Sequence, residues 1–174
     1  MVFQNMNSNR HGIVRVFLLV LAALSFVVFS GCSKNKEGGN FTSVSKDDQA
    51  MNDAIAKAKA TSGEFIKAFH EQNGENSDFY VKKPYPTPSG GHEHMWIEVS
   101  GETNGILTGR IANDAEYTRE VKFGQEVSLK IEEISDWKYQ RGKKLVGGYT
   151  IRYFLDKMSP KERETHLKEN NLEL

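Results

Sequence analysis

HMWIEV, which runs from residue 94 to residue 99, decides the fold class because its apolar and polar side chains alternate. EVSLKI, from 126 to 131, repeats the alternation, and 107–111 does the same. Successive side chains of an extended chain point to opposite faces, so a period of two predicts strands with one buried face. In the second of these stretches, Val127, Leu129 and Ile131 share that face.

Two dipeptides connect apolar runs in the way that tight turns do. Asn104-Gly105 and Arg141-Gly142 both lie between such runs. Pairs of this kind adopt the positive φ angles that short hairpins require. The sheet is therefore predicted to be mostly antiparallel.

A proline-rich segment interrupts the alternation. KKPYPTPSGG, from 82 to 91, contains Pro84, Pro86 and Pro88. Because proline donates no backbone hydrogen bond, this segment is predicted to be an edge or an ordered loop and not a central strand.

Helical periodicity brackets the predicted strands. An amphipathic helix is expected from Asp47 and Asp48 to about His70, with Gly63 as a close contact or a break. Its apolar stripe is Met51, Ile55, Ala58, Ser62, Phe65 and Phe69.

The chain returns to a helical period at its end. Ile151, Phe154, Leu155 and Met158 are spaced as on one helix face, and SPKE at 159–162 has the form of a capping box with proline at the first helical position. Residues 47–174 are thus predicted to be a single α+β domain. It has an N-terminal helix, an antiparallel sheet of four to six strands, and one or two C-terminal helices.

The first 31 residues have the form of a secretory signal. Arg10 and Arg15 precede the apolar run VFLLVLAALSFVVF at 16–29, and small residues at 30 and 31 precede Cys32. The run of about 14 residues is shorter than a membrane-spanning helix, so a retained transmembrane anchor is the weaker interpretation.

Cys32 is the chain's single cysteine, and it lies directly after the apolar run and two small residues, where a lipid attachment site would be. The Ser-Gly-Cys ending resembles the bacterial lipobox, although Phe29 stands where leucine is usual. The resemblance implies cleavage before Cys32, fatty acylation of its thiol with chains such as palmitate, and anchoring in the membrane. Ser33, in place of aspartate, favours the outer membrane over the inner. The alternative is a cleaved secretory signal with an incidental cysteine.

Polar residues follow the cysteine, and overall charge is balanced. Residues 32–46 are poor in apolar side chains and are predicted to be a flexible tether facing the periplasm. Removing residues 1–31 changes 23 basic and 23 acidic side chains to 21 and 23. Such a domain has no basic patch for nucleic acid, so a nucleic-acid partner is not expected.

GGHEHMWIEV, from 90 to 99, is the richest stretch for chemistry. On a strand, His92 and His94 point to one face at a spacing that two zinc ligands can use, with Asp136 or Glu98 as a possible third. The alternative is that His94 and Trp96 form hydrogen bonds in a half-buried sheet face. A bare His-x-His is weak evidence, so no metal or other cofactor is predicted.

Paired carboxylates give a second hypothesis for catalysis. Glu93 and Asp136 are candidates for the acid and base of a hydrolase. Their alternative role, shared with Asn113, Thr150 and Arg152, is to fix strand corners through buried hydrogen bonds.

Aromatic residues suggest binding. Those near the proline segment are predicted to form a ledge for a peptide, glycan or partner protein. The aromatic candidates for binding are Trp96, Trp137 and Tyr149; the polar ones are Glu93, His94, Asp136 and Arg152.

Four motifs together resemble the YegJ-like bacterial family, the domain of unknown function 2314. They are EHMW at 93–96, GRIAN at 109–113, ISDW at 134–137 and GGYTIR at 147–152, and the resemblance covers about 48–163. It implies no activity and no catalytic residues.

The sequence as a whole favours a membrane-anchored envelope lipoprotein whose domain is a non-enzymatic binding module for an envelope protein or glycan. The alternative is a metal-dependent or acid/base hydrolase centred on the His-Glu-His segment.

Overall fold

A computed structural model describes residues 48–71 and 74–174. Two helices, α1 (Gln49–Ala60) and α2 (Ser62–Glu71), come first. Six strands follow: β1 (Asn76–Pro86), β2 (His92–Thr103), β3 (Ile106–Ile111), β4 (Glu126–Lys130), β5 (Asp136–Arg141) and β6 (Lys144–Gly147). Helices α3 (Tyr149–Lys157) and α4 (Pro160–Glu169) end the chain. The strands form one antiparallel sheet in the order β4-β3-β2-β1-β5-β6. The predicted α+β fold is confirmed.

The predicted N-terminal helix is two helices. Asp48 begins α1 by accepting a bond from the Met51 amide, as its position before the apolar stripe predicts. Thr61 ends α1, where its backbone amide and its hydroxyl both bond to the Lys57 carbonyl. Gly63 marks no close contact, because a Cβ there meets nothing within 4 Å. The break therefore comes two residues before the glycine.

The core lies between α1, α2 and one face of the sheet, here called the core face. Phe65 of α2 contacts the rings of Phe79 and Trp137, at centroid distances of 5.7 and 5.9 Å. The Trp137 indole N–H donates to the Ala58 carbonyl at 2.9 Å. From the sheet, the odd-numbered residues of β2 point into this core, as the alternation predicts. The apolar ones are Met95, Ile97 and Val99, and all three are buried.

Both predicted hairpin turns are present. Asn104 and Gly105 have φ angles of 51° and 79° between β2 and β3. Gly142, with φ of 59°, lies between β5 and β6. The predicted capping box is also confirmed, since Ser159 and Glu162 exchange hydrogen bonds at the start of α4.

The prediction for the proline segment was wrong for residues 82–86 and is confirmed for residues 87–91, which lie in the turn between β1 and β2. Pro84 and Pro86 belong to β1, a central strand that pairs with β2 and β5. Pairing with β5 reaches only to Lys82, whereas pairing with β2 continues to Pro86. The prolines thus occupy an end of the strand with a neighbour on one side only, where a missing N–H removes no ladder bond.

Candidate functional site

Glu93 is a buried carboxylate that organises a surface loop. Its side chain is 4% exposed and lies on the core face of β2. Its two oxygens accept the backbone N–H groups of Glu116, Tyr117 and Thr118 at 2.9, 2.9 and 2.7 Å. The Thr118 hydroxyl donates to the Pro86 carbonyl at 2.8 Å. This predicted site residue therefore fixes the connection 112–125 between β3 and β4 against the proline end of β1.

That connection presents two large aromatic side chains to solvent. Tyr117 is 52% exposed and Phe123 is 62% exposed. Both belong to the loop whose backbone Glu93 holds. Sequence reasoning missed them because the segment shows neither alternation nor helical spacing. The available signal was the presence of two aromatics in an otherwise polar stretch.

Asp136 occupies a second buried polar cluster, on the opposite face of the sheet. It is fully buried and directly opposite Lys82 in the β1–β5 register. Its carboxylate accepts the amides of Tyr149 and Thr150 at 3.1 and 2.8 Å, so it caps the first turn of α3. It also accepts the Trp137 amide at 2.8 Å. Gly148, the residue before α3, has no side chain for this task.

Thr150 links Asp136 to a buried lysine. Its hydroxyl donates to Asp136 at 2.6 Å and accepts from the Lys82 ammonium at 2.8 Å. Burial lowers the pKa of Lys82 to about 8, although the Asp136 charge opposes this change. Burial likewise raises the pKa of Asp136, against the opposing effects of Lys82 and Thr150. Lys82, with 1% exposure, was not predicted as a site residue, because it begins the segment 82–91 that was predicted to be an edge or an ordered loop, where lysine side chains are usually solvated.

Trp96 lies beside two lysines on this face, here called the polar face. The Lys82 and Lys138 ammonium groups are 4.4 and 5.7 Å from its ring centroid. Such cation–π contacts stabilise a charge that burial has removed from water. Burial lowers the pKa of Lys138 as well.

The histidine segment has the predicted strand geometry without a completed metal site. His92 is exposed and His94 half-buried, on the same face of β2. His94 Nδ1 lies 2.8 Å from the Ser135 hydroxyl. Burial, followed by the nearby Lys82 charge, lowers the pKa of His94 to about 4, so its ring is neutral at pH 7. Within residues 48–71 and 74–174, no group of three His, Cys, Asp or Glu side chains is placed to hold a metal ion.

The remaining predicted site residues have structural contacts. Trp137 is fully buried in the core, and Tyr149 packs edge-on against it at 5.7 Å. Arg152 donates to the carbonyls of Gly147 and Leu145 at 3.0 and 2.7 Å, which fixes α3 to β6. The predicted residues therefore do not converge: Glu93 and Trp137 face the core, whereas His94, Trp96 and Asp136 face the other way.

Comparison with known proteins agrees with the resemblance seen in the motifs. A family model described as "Uncharacterized protein conserved in bacteria (DUF2314)" matches residues 48–174. This chain belongs to the DUF2314 family. It is similar to "Uncharacterized protein YegJ" of Escherichia coli (strain K12), with 36% identity over 149 residues, 86% of this chain and 95% of the relative. No solved structure matches the fold.

The DUF2314 match coincides with the part of the chain that the structure describes. Cys32 and the predicted signal and tether lie outside the described residues. No helix of the described part of this DUF2314 chain has the length and apolar character needed to cross a membrane.

Proposed function

We propose that this chain is a lipid-anchored protein of the bacterial envelope whose α+β domain binds another envelope protein, without catalysis, through the connection 112–125. The observation that carries the proposal is the pair of exposed aromatic side chains on a loop fixed by buried Glu93.

Rigidity is what makes this loop suitable for binding. Aromatic side chains dominate the binding energy of protein interfaces. A loop already held in one conformation loses less entropy when a partner binds, so more of the contact energy appears as affinity. Glu93, Thr118 and Pro86 supply this preorganisation through four hydrogen bonds to or from the loop.

Support for the anchor comes from the sequence. The apolar run at 16–29 and the Ser-Gly-Cys ending precede a polar tether. Several acyl chains give the stable membrane attachment that a single chain does not.

The hydrolase alternative gains no support from the geometry. Glu93 and Asp136 project from opposite faces of the sheet, and each is bonded to backbone amides. An acid/base pair has to reach one substrate from one cleft. Both carboxylates instead take the structural role that the sequence allowed.

Photocrosslinking in living bacteria tests the proposed surface. A benzophenone amino acid replaces Phe123 in the full chain, and a matched chain carries it at Ile106, which is 38% exposed at the other end of β3. We expect one discrete adduct with a protein other than this chain from position 123, lost when Tyr117→Ala is added, and no adduct with another protein from position 106. Equal adducts from both positions, or none from position 123, would refute this surface.

A further inference from the structure

The two edges of the sheet differ in how they are covered. At the β6 edge, the C-terminal segment lies alongside the strand: the Leu145 amide donates to the Glu173 carbonyl at 2.7 Å, and the Glu173 amide donates to the Lys143 carbonyl at 2.8 Å. At the other edge, no strand of the described residues pairs with the outer side of β4. An uncovered edge is a template for another strand.

The backbone groups at the β4 edge follow from its register with β3. Just beyond the two ends of β4, the Gln125 carbonyl accepts from the Ile111 amide of β3, and the Ile131 amide donates to the carbonyl of Gly105, the residue before β3. Antiparallel bonds recur at every second residue, so Val127 and Leu129 also bond inward. The backbone groups of Glu126, Ser128 and Lys130 therefore point outward, and of these the Lys130 N–H is already bonded to Glu133 at 2.7 Å.

A row of side chains on the polar face ends at this edge. Directly paired positions on five neighbouring strands place Lys138, Tyr80, Glu98, Arg110 and Glu126 side by side. From Glu98 outward the charges alternate, and Arg110 contacts Glu126 at 2.8 Å. The row stops at an edge carboxylate that is 77% exposed, so a cation on an added strand would continue it.

We propose that β4 pairs antiparallel with β4 of a second copy of this chain, about a two-fold axis at Ser128. In that register Glu126 lies opposite Lys130 of the partner subunit, and Lys130 lies opposite Glu126 of the partner subunit. The strand is thus complementary in charge to itself, with a small neutral residue at the centre. Its sequence reads Glu-Val-Ser-Leu-Lys from 126 to 130.

Self-complementarity favours a second copy over an unrelated strand. Opposite charges directly across a ladder stabilise the pairing, and like charges oppose it. A two-fold interface satisfies each such contact twice. This pairing does not depend on the proposed function of the connection 112–125, because it uses the backbone of β4.

A cysteine at the axis gives the sharpest test. In a hydrogen-bonded antiparallel pair the two Cα atoms are roughly 5.5 Å apart, within the range that a disulfide bridges. Ser128→Cys is placed in the full chain carrying Cys32→Ser, so that the new thiol is the only one. Ser100→Cys, on an exposed position of the inner strand β2, is the matched control. We expect about tenfold more disulfide-linked dimer from position 128 under mild oxidation. Equal yields, or a disulfide to a different protein in place of the dimer, would overturn the proposal.

Charge reversal tests the register independently. Lys130→Glu places two carboxylates opposite each other, and Glu126→Lys places two lysines opposite each other. Each variant with Ser128→Cys is expected to lose most of its crosslinked homodimer, whereas a mixture of the two variants is expected to form the heterodimer. A mixture that forms no heterodimer, or single variants that crosslink as well as the parent, would overturn the register.

Discussion

At the scale of single residues, two buried charges do different work. The Glu93 carboxylate accepts hydrogen bonds from three consecutive backbone amides of a surface loop. Asp136 caps a helix whose own preceding residue is a glycine. In both cases the carboxylate replaces hydrogen bonds that the backbone lacks.

Removing the charge of Glu93 is expected to loosen the connection 112–125. Glu93→Gln keeps one acceptor oxygen but loses the other and the negative charge, so the free energy of unfolding should fall by about 2 kcal/mol. Amide exchange at Glu116, Tyr117 and Thr118 should accelerate. Glu98→Gln is the control: Glu98 is exposed on the polar face of the same strand, so this change should alter the free energy of unfolding by less than about 0.5 kcal/mol. Unchanged exchange in Glu93→Gln would contradict the anchor.

Because Lys82 is buried, the free energy of unfolding is expected to rise at alkaline pH. Its pKa is about 8 in the folded state, against an ordinary value of 10.5, because burial disfavours the charge. Below pH 8 the lysine is protonated in both the folded and the unfolded protein, so the folded state bears the full free-energy cost of burying its charge. Above it the unfolded state binds more protons, so the free energy of unfolding should rise by about 2 kcal/mol from pH 7 to about pH 9.5. Lys82→Met should remove most of this rise in urea titrations, leaving the part due to Lys138. An equal slope in the variant would show that Lys82 is not the group responsible.

At the scale of elements, the junction between β6 and α3 depends on a glycine. Gly147 has φ of +71°, and a Cβ there would lie 2.4 Å from the Trp137 carbonyl oxygen and 2.5 Å from its ring. Gly147→Ala should therefore lower the free energy of unfolding by more than about 3 kcal/mol. Gly124→Ala, with φ of +75° and open space, carries only the backbone strain and should cost about 1 kcal/mol. Equal losses in urea unfolding would mean that contact with Trp137 is unimportant.

The sequence predicts elements better than it predicts sites, for physical reasons. Period-two alternation and the two glycine-containing turn pairs are local patterns, so the strands and hairpins could be predicted from the sequence. The role of Pro84 depended on where a neighbouring strand stops, which no local pattern contains. Glu93 was identified as a candidate, but its loop partners lie more than 20 residues away. Phe123 lies in a segment with neither alternation nor helical spacing, so no local pattern predicted its exposure.

At the scale of the whole molecule, membrane attachment is predicted to depend on Cys32 alone, and the fold is predicted to depend on residues 48–174. Cys32→Ser in the full chain should abolish incorporation of labelled palmitate and shift the protein out of the outer-membrane fraction, because the acylated thiol is missing. The fold of residues 48–174, followed by circular dichroism, should not change. Equal labelling of the variant would contradict lipidation at Cys32.

The yield of the photocrosslinked adduct at position 123, compared between the parent chain and Glu93→Gln, measures whether the buried carboxylate holds the connection 112–125 ready to bind an envelope protein. We predict a high yield in the parent and a severalfold lower yield in the folded variant. An equal yield in both would contradict this role of the carboxylate, because binding would then not depend on the loop that Glu93 fixes.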